Sequence, residues 1–495
     1  MKNIKRIFSI SIFASIILSS CTDLVNEERD SFVLPRTNDG FVKVTLPGFL
    51  ESAYKDLSAY TDQNNIYALG EHTSAEMIPP TRGVDWGDNG VWRTLDAHTW
   101  DATHSAVLGT WNQLNQRAYN CNAILASDPT PVQAAEAKFL RALNMYHVMD
   151  YFGQVPFREV TQGVDDLPSV KSRSEAFDFI VKDLTEALQQ LPSTGPSANN
   201  VTATKAAANF LLAKLHLNKA VYKADSPAGP YSFDNGDMDK VIGYVNAIEA
   251  DGYKLDDNYF NNFTANANSE IILATVEGSP QNRWFMTLHY NQNPSGWNGF
   301  TTLADFYDSF ETTDSRFGVP AKKDGSTYSG IGQGFLFGQQ FDDSGKQIID
   351  TRTQKPLSFT KDVPLAGAAT DKGIRVIKYH PATANKYILM RFGEALLYKA
   401  EAQLRSGKTA DALATVNGLR AKRGASQKGS IDLEGMFNEI GYETYWEGGK
   451  RTVEIRYGKF VNGTGSTVSS DHTVLFPIPS TALVSNPNLQ QNAGY

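Results

Sequence analysis

Between Thr204 and Val221, apolar residues fall at Ala206, Phe210, Ala213, Leu217 and Val221, the spacing of one helical face. Small side chains at several of these positions let a second helix approach closely. The same grammar recurs along the chain. A helical run is predicted from about Ser105 to Ala126. Thr130-Pro131-Val132-Gln133 forms a capping box with proline at the first helical position. The helix it opens carries Leu140, Leu143, His147 and Tyr151 on one face and ends at Gly153, with Pro156 beyond. Ser172-Arg173-Ser174-Glu175 opens another, stopped near Leu191 by Pro192 and Gly195. A late pair runs from about Lys386 to Ser406, with Leu389, Leu396, Ala400 and Leu404 inward, and from Thr409 to Lys422, with Leu413, Val416 and Leu419 inward. Antiparallel helix pairs with alanine at the contacts predict a mostly α fold: an α-α superhelix of divergent tetratricopeptide-like pairs, lacking the regular period of about 34 residues.

From roughly 255 to 385 the pattern changes. Helical periodicity fades, and Gly, Asn, Asp, Thr and aromatic residues dominate. Ser269 to Val276 reads as one of a few short strands. Residues 277–300 and 320–370 read as long loops, and loops of that length in a compact domain usually serve a function. Gly330-Ile331-Gly332-Gln333-Gly334 reads as a flexible loop, and Asp234-Asn235-Gly236-Asp237-Met238-Asp239 as a solvated turn without EF-hand spacing.

At the N-terminus, Lys2, Lys5 and Arg6 precede an apolar stretch from Ile7 to Leu18 and the small residues Ser19 and Ser20 before Cys21. This is the pattern of a lipoprotein signal peptide over residues 1–20, cleaved before a cysteine that carries the acyl chains, with a stretch too short to span a bilayer. Residues 21–40 read as a lipidated polar tether and 41–495 as a single domain, with scaffold at about 100–250 and 386–460 and a loop-rich binding region at about 255–385. Cleavage removes three of the 46 basic residues and none of the 54 acidic ones, leaving a net charge of −11. That balance argues against a nucleic-acid partner. With Cys21 acylated, Cys121 has no intrachain partner and reads as an inert buried thiol.

No catalytic signature emerges. There is no HExxH, no Walker loop and no GxSxG elbow, and the eight histidines do not pair at metal-ligand spacing. His147 reads as a core histidine. The chain is expected not to be an enzyme, to need no cofactor and to hold no metal, although a pair of carboxylates distant in sequence leaves glycoside hydrolysis open.

Four blocks carry a family resemblance. Phe139-Leu140-Arg141-Ala142 through Tyr151-Phe152-Gly153-Gln154-Val155-Pro156 is the first, and Arg391-Phe392-Gly393-Glu394-Ala395 through Ala400-Glu401-Ala402 the second. Val416-Asn417-Gly418-Leu419-Arg420-Ala421-Lys422-Arg423 and the end, Pro477-Ile478-Pro479 through Asn486-Pro487 to Gln491-Asn492-Ala493-Gly494-Tyr495, complete them. Together with Cys21 they resemble the SusD/RagB family over the whole mature chain. In the block from Glu439 to Gly458 the sequence departs from the family pattern, with Ile440 where arginine is usual and Glu454 where aspartate is usual. The resemblance implies a lipoprotein on the outer face of the outer membrane of a Bacteroidetes-type bacterium. It would work with a SusC-like TonB-dependent transporter and capture an oligo- or polysaccharide for import, or, as the alternative, a peptide.

A sugar presents hydroxyls around weakly apolar ring faces, so flat aromatics beside planar polar groups suit it. Two loop clusters qualify. Pro79 to Trp92 holds Arg82, Asp85, Trp86 and Trp92; the segment 282–299 holds Trp284, Trp297 and Asn298. Trp297, between Gly296 and Gly299, is the leading candidate. Trp86 and Trp92 are equally compatible with packing into the scaffold. Arg375 and Tyr379 are weaker candidates, and Trp100 and Trp111 read as core.

Overall fold

The computed structural model describes residues 40–495 apart from 42, 164, 266, 277–281, 385 and 462–468. Cys21, the signal peptide and the tether to residue 39 lie outside the described residues. Among the described residues no helix is long and apolar enough to cross a membrane.

The scaffold helices are α1 (Ser105–Leu125), α2 (Pro131–Phe152), α3 (Arg173–Leu188), α4 (Lys205–Leu217), α5 (Asn235–Ala250), α6 (Phe392–Arg405), α7 (Thr409–Lys422), α8 (Leu433–Thr444) and α9 (Lys450–Arg456). Their starts are chemically specified. Thr130 with Gln133 and Ser172 with Glu175 close reciprocal capping boxes, and Thr204 and Asp432 cap α4 and α8. Gly153 ends α2 in the left-handed conformation. Asp234 caps α5, so the acidic stretch 234–239 is not the solvated turn expected from its composition. Asp237 in the first turn is buried against His216 and Lys219.

Each helix from α1 to α7 packs on the next, and α8 returns onto α6. This is the nearest-neighbour stacking of a helical-repeat scaffold. The order continues from α5 directly to α6 although residues 251–391 intervene. The loop-rich region is therefore an insertion between two stacked helices. Its base is clamped by an antiparallel ribbon of β1 (Ile271–Ala274), which falls inside the predicted strand, and β4 (Ile388–Arg391). The late helix accordingly starts at Phe392 rather than Lys386. Ile388-Leu389-Met390 is an apolar run whose periodicity suits strand or helix, and pairing with β1 decides it. Within the insertion, β2 (Gln333–Leu336) lies between β3 (Arg375–Ile377) and the two-residue strand Gly318–Val319. The glycine run 330–334 is therefore tightly packed, not flexible. Gly334 has φ +77°, and a Cβ there would lie 2.3 Å from the Phe317 carbonyl oxygen.

Buried ion pairs tie the layers. Arg141 of α2 donates two bonds of 2.7 Å to Asp183 of α3 and one to Asn122 of α1. Arg456 of α9 grips Glu401 of α6 in a fork at 2.8 Å and reaches Asn218 beyond α4. Where the insertion meets the scaffold, Arg316, Arg391 and Arg423 converge on Glu443, with Glu270, Glu439 and Glu447 completing a buried network. Burial alone would raise the Glu443 carboxyl, but Arg423, Arg391 and Arg316 more than offset it and hold it well below the usual range. Trp100, Trp111 and Cys121 are buried in the core, and burial raises the Cys121 thiol to about 12. His147 lies against Tyr60, Tyr146 and Tyr151, with burial first among the causes that lower it to about 3.

Candidate functional site

The loop from Pro79 to Trp92 leaves the scaffold through a short bridge, Ile78 to Thr301, and turns back at Arg82–Asp85, with Val84 96% exposed at the tip. Then comes a run of residues in left-handed conformations: Trp86 (φ 63°), Asp88 (φ 36°), Asn89 (φ 52°) and Gly90 (φ 84°). For a tryptophan this conformation is costly and must be held by its surroundings. The Trp86 indole N–H donates to the Trp297 carbonyl at 2.8 Å, and its ring packs on Phe300 at 4.9 Å and Trp92 at 6.1 Å. The ring also lies on the backbone at Gly299, where a Cβ would come within 2.4 Å of it. Glycine at 299 is thus what lets the two loops meet.

Trp297 stands on the other side, 49% exposed, with its ring 6.2 Å from Trp86 and 4.9 Å from Phe285. Trp92 is buried below, its N–H bonded to Asp88 at 2.7 Å. Behind it His72 packs on Trp92 and Phe300, and burial, with the nearby Arg283, pushes its pKa down to about 3. These rings border a cleft of about 660 Å³ whose polar rim includes Gln63, Asn64, Asp85, Asp88, Ser105 and Tyr290. Asp85 accepts hydrogen bonds from the Tyr290 hydroxyl at 2.7 Å and from Arg352 at 2.8 Å, and these hold its carboxyl below the usual range. The Arg352 guanidinium also lies over the Tyr290 ring at 4.2 Å. A half-exposed indole backed by a partly buried one, beside an oriented carboxylate and a guanidinium, can stack on a flat apolar face and hydrogen-bond its edge. No nucleophile–base pair lines the cleft, and no described group of His, Cys, Asp and Glu could hold a metal.

The structure brings Asp85, Trp86, Trp92 and Trp297 together as candidates. It separates the others. Asn298 is buried, donating to the Thr370 carbonyl and accepting from Arg375. Arg375 is buried too, and its guanidinium otherwise donates to the carbonyls of Thr370, Lys372 and Gly373. Arg82 donates to the carbonyls of Ala369, Lys372 and Gly299, and burial lowers it to about 10. Tyr379 is buried, its hydroxyl accepting from the Ile388 backbone. Trp284 packs against a side cluster with Leu288 and Phe359 and does not line the cleft. These five were expected at the ligand; four are spent on holding loops together and the fifth packs elsewhere. Arg352 and Tyr290 were missed as site residues. Tyr290 is one of the loop aromatics, but Arg352 sits in a polar turn with no distinguishing signal.

Against known proteins, a SusD-like family, described as "Starch-binding associating with outer membrane", matches residues 41–204. The "Starch-binding protein SusD" of Bacteroides thetaiotaomicron is 25% identical, covering the whole of this chain and 99% of its own. A SusD-like protein of Bacteroides fragilis has the same fold, with a TM-score of 0.70 at 20% identity over 90% of this chain and 96% of its own. A laminarin-binding SusD-like protein superposes with a TM-score of 0.63 at 20% identity over 90% of this chain and 98% of its own.

Proposed function

We propose that the chain is a member of the SusD-like family and a surface glycan-capture protein without catalytic activity. In this role it binds an oligo- or polysaccharide at the Trp86–Trp297 cleft, is held to the outer membrane by acyl chains on Cys21, and hands its cargo to a SusC-like TonB-dependent transporter. The observation that carries the ligand class is the half-exposed Trp297 indole beside the partly buried Trp86 and the Asp85–Arg352 pair. The net charge of the mature chain favours neutral over polyanionic glycans.

Affinity electrophoresis through gels holding a panel of neutral and acidic polysaccharides tests this. Retardation by a neutral polymer, abolished by Trp297→Ala, is the expected result. No retardation by any polymer, together with heat on titrating an extended-peptide pool, would replace glycan with peptide.

A further inference from the structure

A second groove, of about 350 Å³, opens further along α1 between that helix, Arg141 and Met145 of α2, and residues 156–158 with Pro168. It is lined by Asn112, Asn115, Gln116, Tyr119 and Arg158, with Phe157 on its apolar side. Ser105, at the start of the same helix, lines the tryptophan cleft. Residues seven apart on an α-helix lie on nearly one face, so Ser105, Asn112 and Tyr119 share a stripe, with Gln116 beside it. At 1.5 Å per residue, Asn112 lies about 10 Å and Tyr119 about 21 Å along the axis from Ser105. The loop carrying Gln63, Asn64 and Asn65 crosses this stripe at Gly109, where a Cβ would collide with the Asn65 amide at 2.4 Å. Gln63 and Asn64 themselves border the cleft. Amide side chains thus continue from the cleft, over the crossing loop, into the groove. Asn112 and Gln116 are exposed on this path. An amide offers a donor and an acceptor on one plane without charge, which suits adjacent hydroxyls of a neutral sugar chain.

We infer that this amide stripe is a second binding region for the same ligand, so that the protein selects neutral glycans long enough to lie in the cleft and the groove together. The inference rests on the glycan-capture reading. Engagement of both regions by one chain raises affinity through effective concentration, without new contacts in the cleft.

The experiment is calorimetric titration of the full chain in detergent with a length series of whichever neutral glycan retards it, for wild type, for Asn112→Ala with Gln116→Ala, and for Trp297→Ala. Both amides are exposed helix positions, where alanine is tolerated. The expected result is an affinity that steps up by about tenfold or more beyond a threshold length. The amide double variant should lose that step and bind short oligosaccharides as wild type does, while Trp297→Ala weakens short and long alike. A smooth length dependence, or a double variant indistinguishable from wild type on long chains, overturns the second region while leaving glycan capture standing. Absence of binding by every glycan overturns both, and a length step seen only with peptides assigns the groove to polypeptide.

Discussion

Arginine is buried in both halves of the molecule, and it does different work in each. In the scaffold its partners are mainly carboxylates: Arg141 with Asp183, Arg456 with Glu401, Arg423 with Glu443 and Glu270, although Arg451 of α9 donates to the Val474 carbonyl. In the loops around the cleft three buried arginines instead serve backbone carbonyls: Arg82 those of residues 299, 369 and 372, Arg283 those of Tyr60 and Asp62, Arg375 those of residues 370, 372 and 373, while Arg316, where the insertion meets the scaffold, keeps carboxylate partners. The reason lies in the backbone. A helix satisfies its own carbonyls, so a buried cation between helices needs a side-chain anion. Buried loops leave carbonyls unpaired, and a planar guanidinium with five donors can serve several at once. The electrostatics follow. Burial would lower Arg456, but Glu401 holds it above its ordinary value; Arg375, lacking an anion, is lowered well below, by burial first and then by Arg82. The lesson is that a loop arginine near aromatic residues is as readily a structural clamp as a ligand contact.

The largest effect is expected at the junction. Glu443→Ala leaves Arg316, Arg391 and Arg423 without their shared anion and should destabilise the fold by about 3–5 kcal/mol or more, measured by chemical denaturation. A loss below about 1 kcal/mol would mean that the junction arginines do not depend on their shared carboxylate. Next, Arg375→Lys keeps the charge but not the fork, and should cost about 2–3 kcal/mol while also weakening glycan binding through displaced loops. Unchanged stability with lost binding would return Arg375 to the ligand. Glu454 sharpens the contrast from a third side, as a carboxylate buried in α9, where burial raises it to about 8. A folded-state pKa above the unfolded one gives stability that is complete below about pH 4.5 and is lost as pH rises through about 8. Glu454→Gln, permanently neutral, should therefore match wild type near pH 4.5 and exceed it by at least about 1 kcal/mol at pH 8.5, read from paired unfolding curves. The smallest change in stability is expected for Trp297→Ala, within about 1 kcal/mol, although it should lower glycan affinity at least tenfold. Equal loss of fold would make Trp297 a packing residue.

Much of the scaffold could be read from the chain. The capping boxes at Thr130 and Ser172, the stop at Gly153 and the apolar stripe of α4 are local features, each completed within a turn or two of helix. Reading failed where a distant strand competed, as at Ile388–Arg391, and where a composition cue hid a cap, as at Asp234. In the site, Trp297 was legible because a tryptophan among glycines in a long loop has little helical or strand context to pack into. Its meeting with Trp86 was not, since the two are 211 residues apart. Nor was the pairing of Asp85 with Arg352, 267 residues apart, which orients the one carboxylate at the cleft that sequence pointed to.

By itself the sequence determined the class of fold, the boundaries of α1, α2, α3 and α7 to within a few residues, a family resemblance and the two loops that supply the aromatic platform, because helical periodicity, caps and motif blocks are encoded over short spans. Only the tertiary structure decided which side chains of those loops face solvent. Arg82, Asn298 and Arg375 turn inward because loop carbonyls from two segments, Gly299 and residues 369–373, meet where they stand, and a buried carbonyl must find a donor. Trp86 rests on the backbone at Gly299, where a side chain would collide with its ring, and Trp297 stands beside it facing solvent.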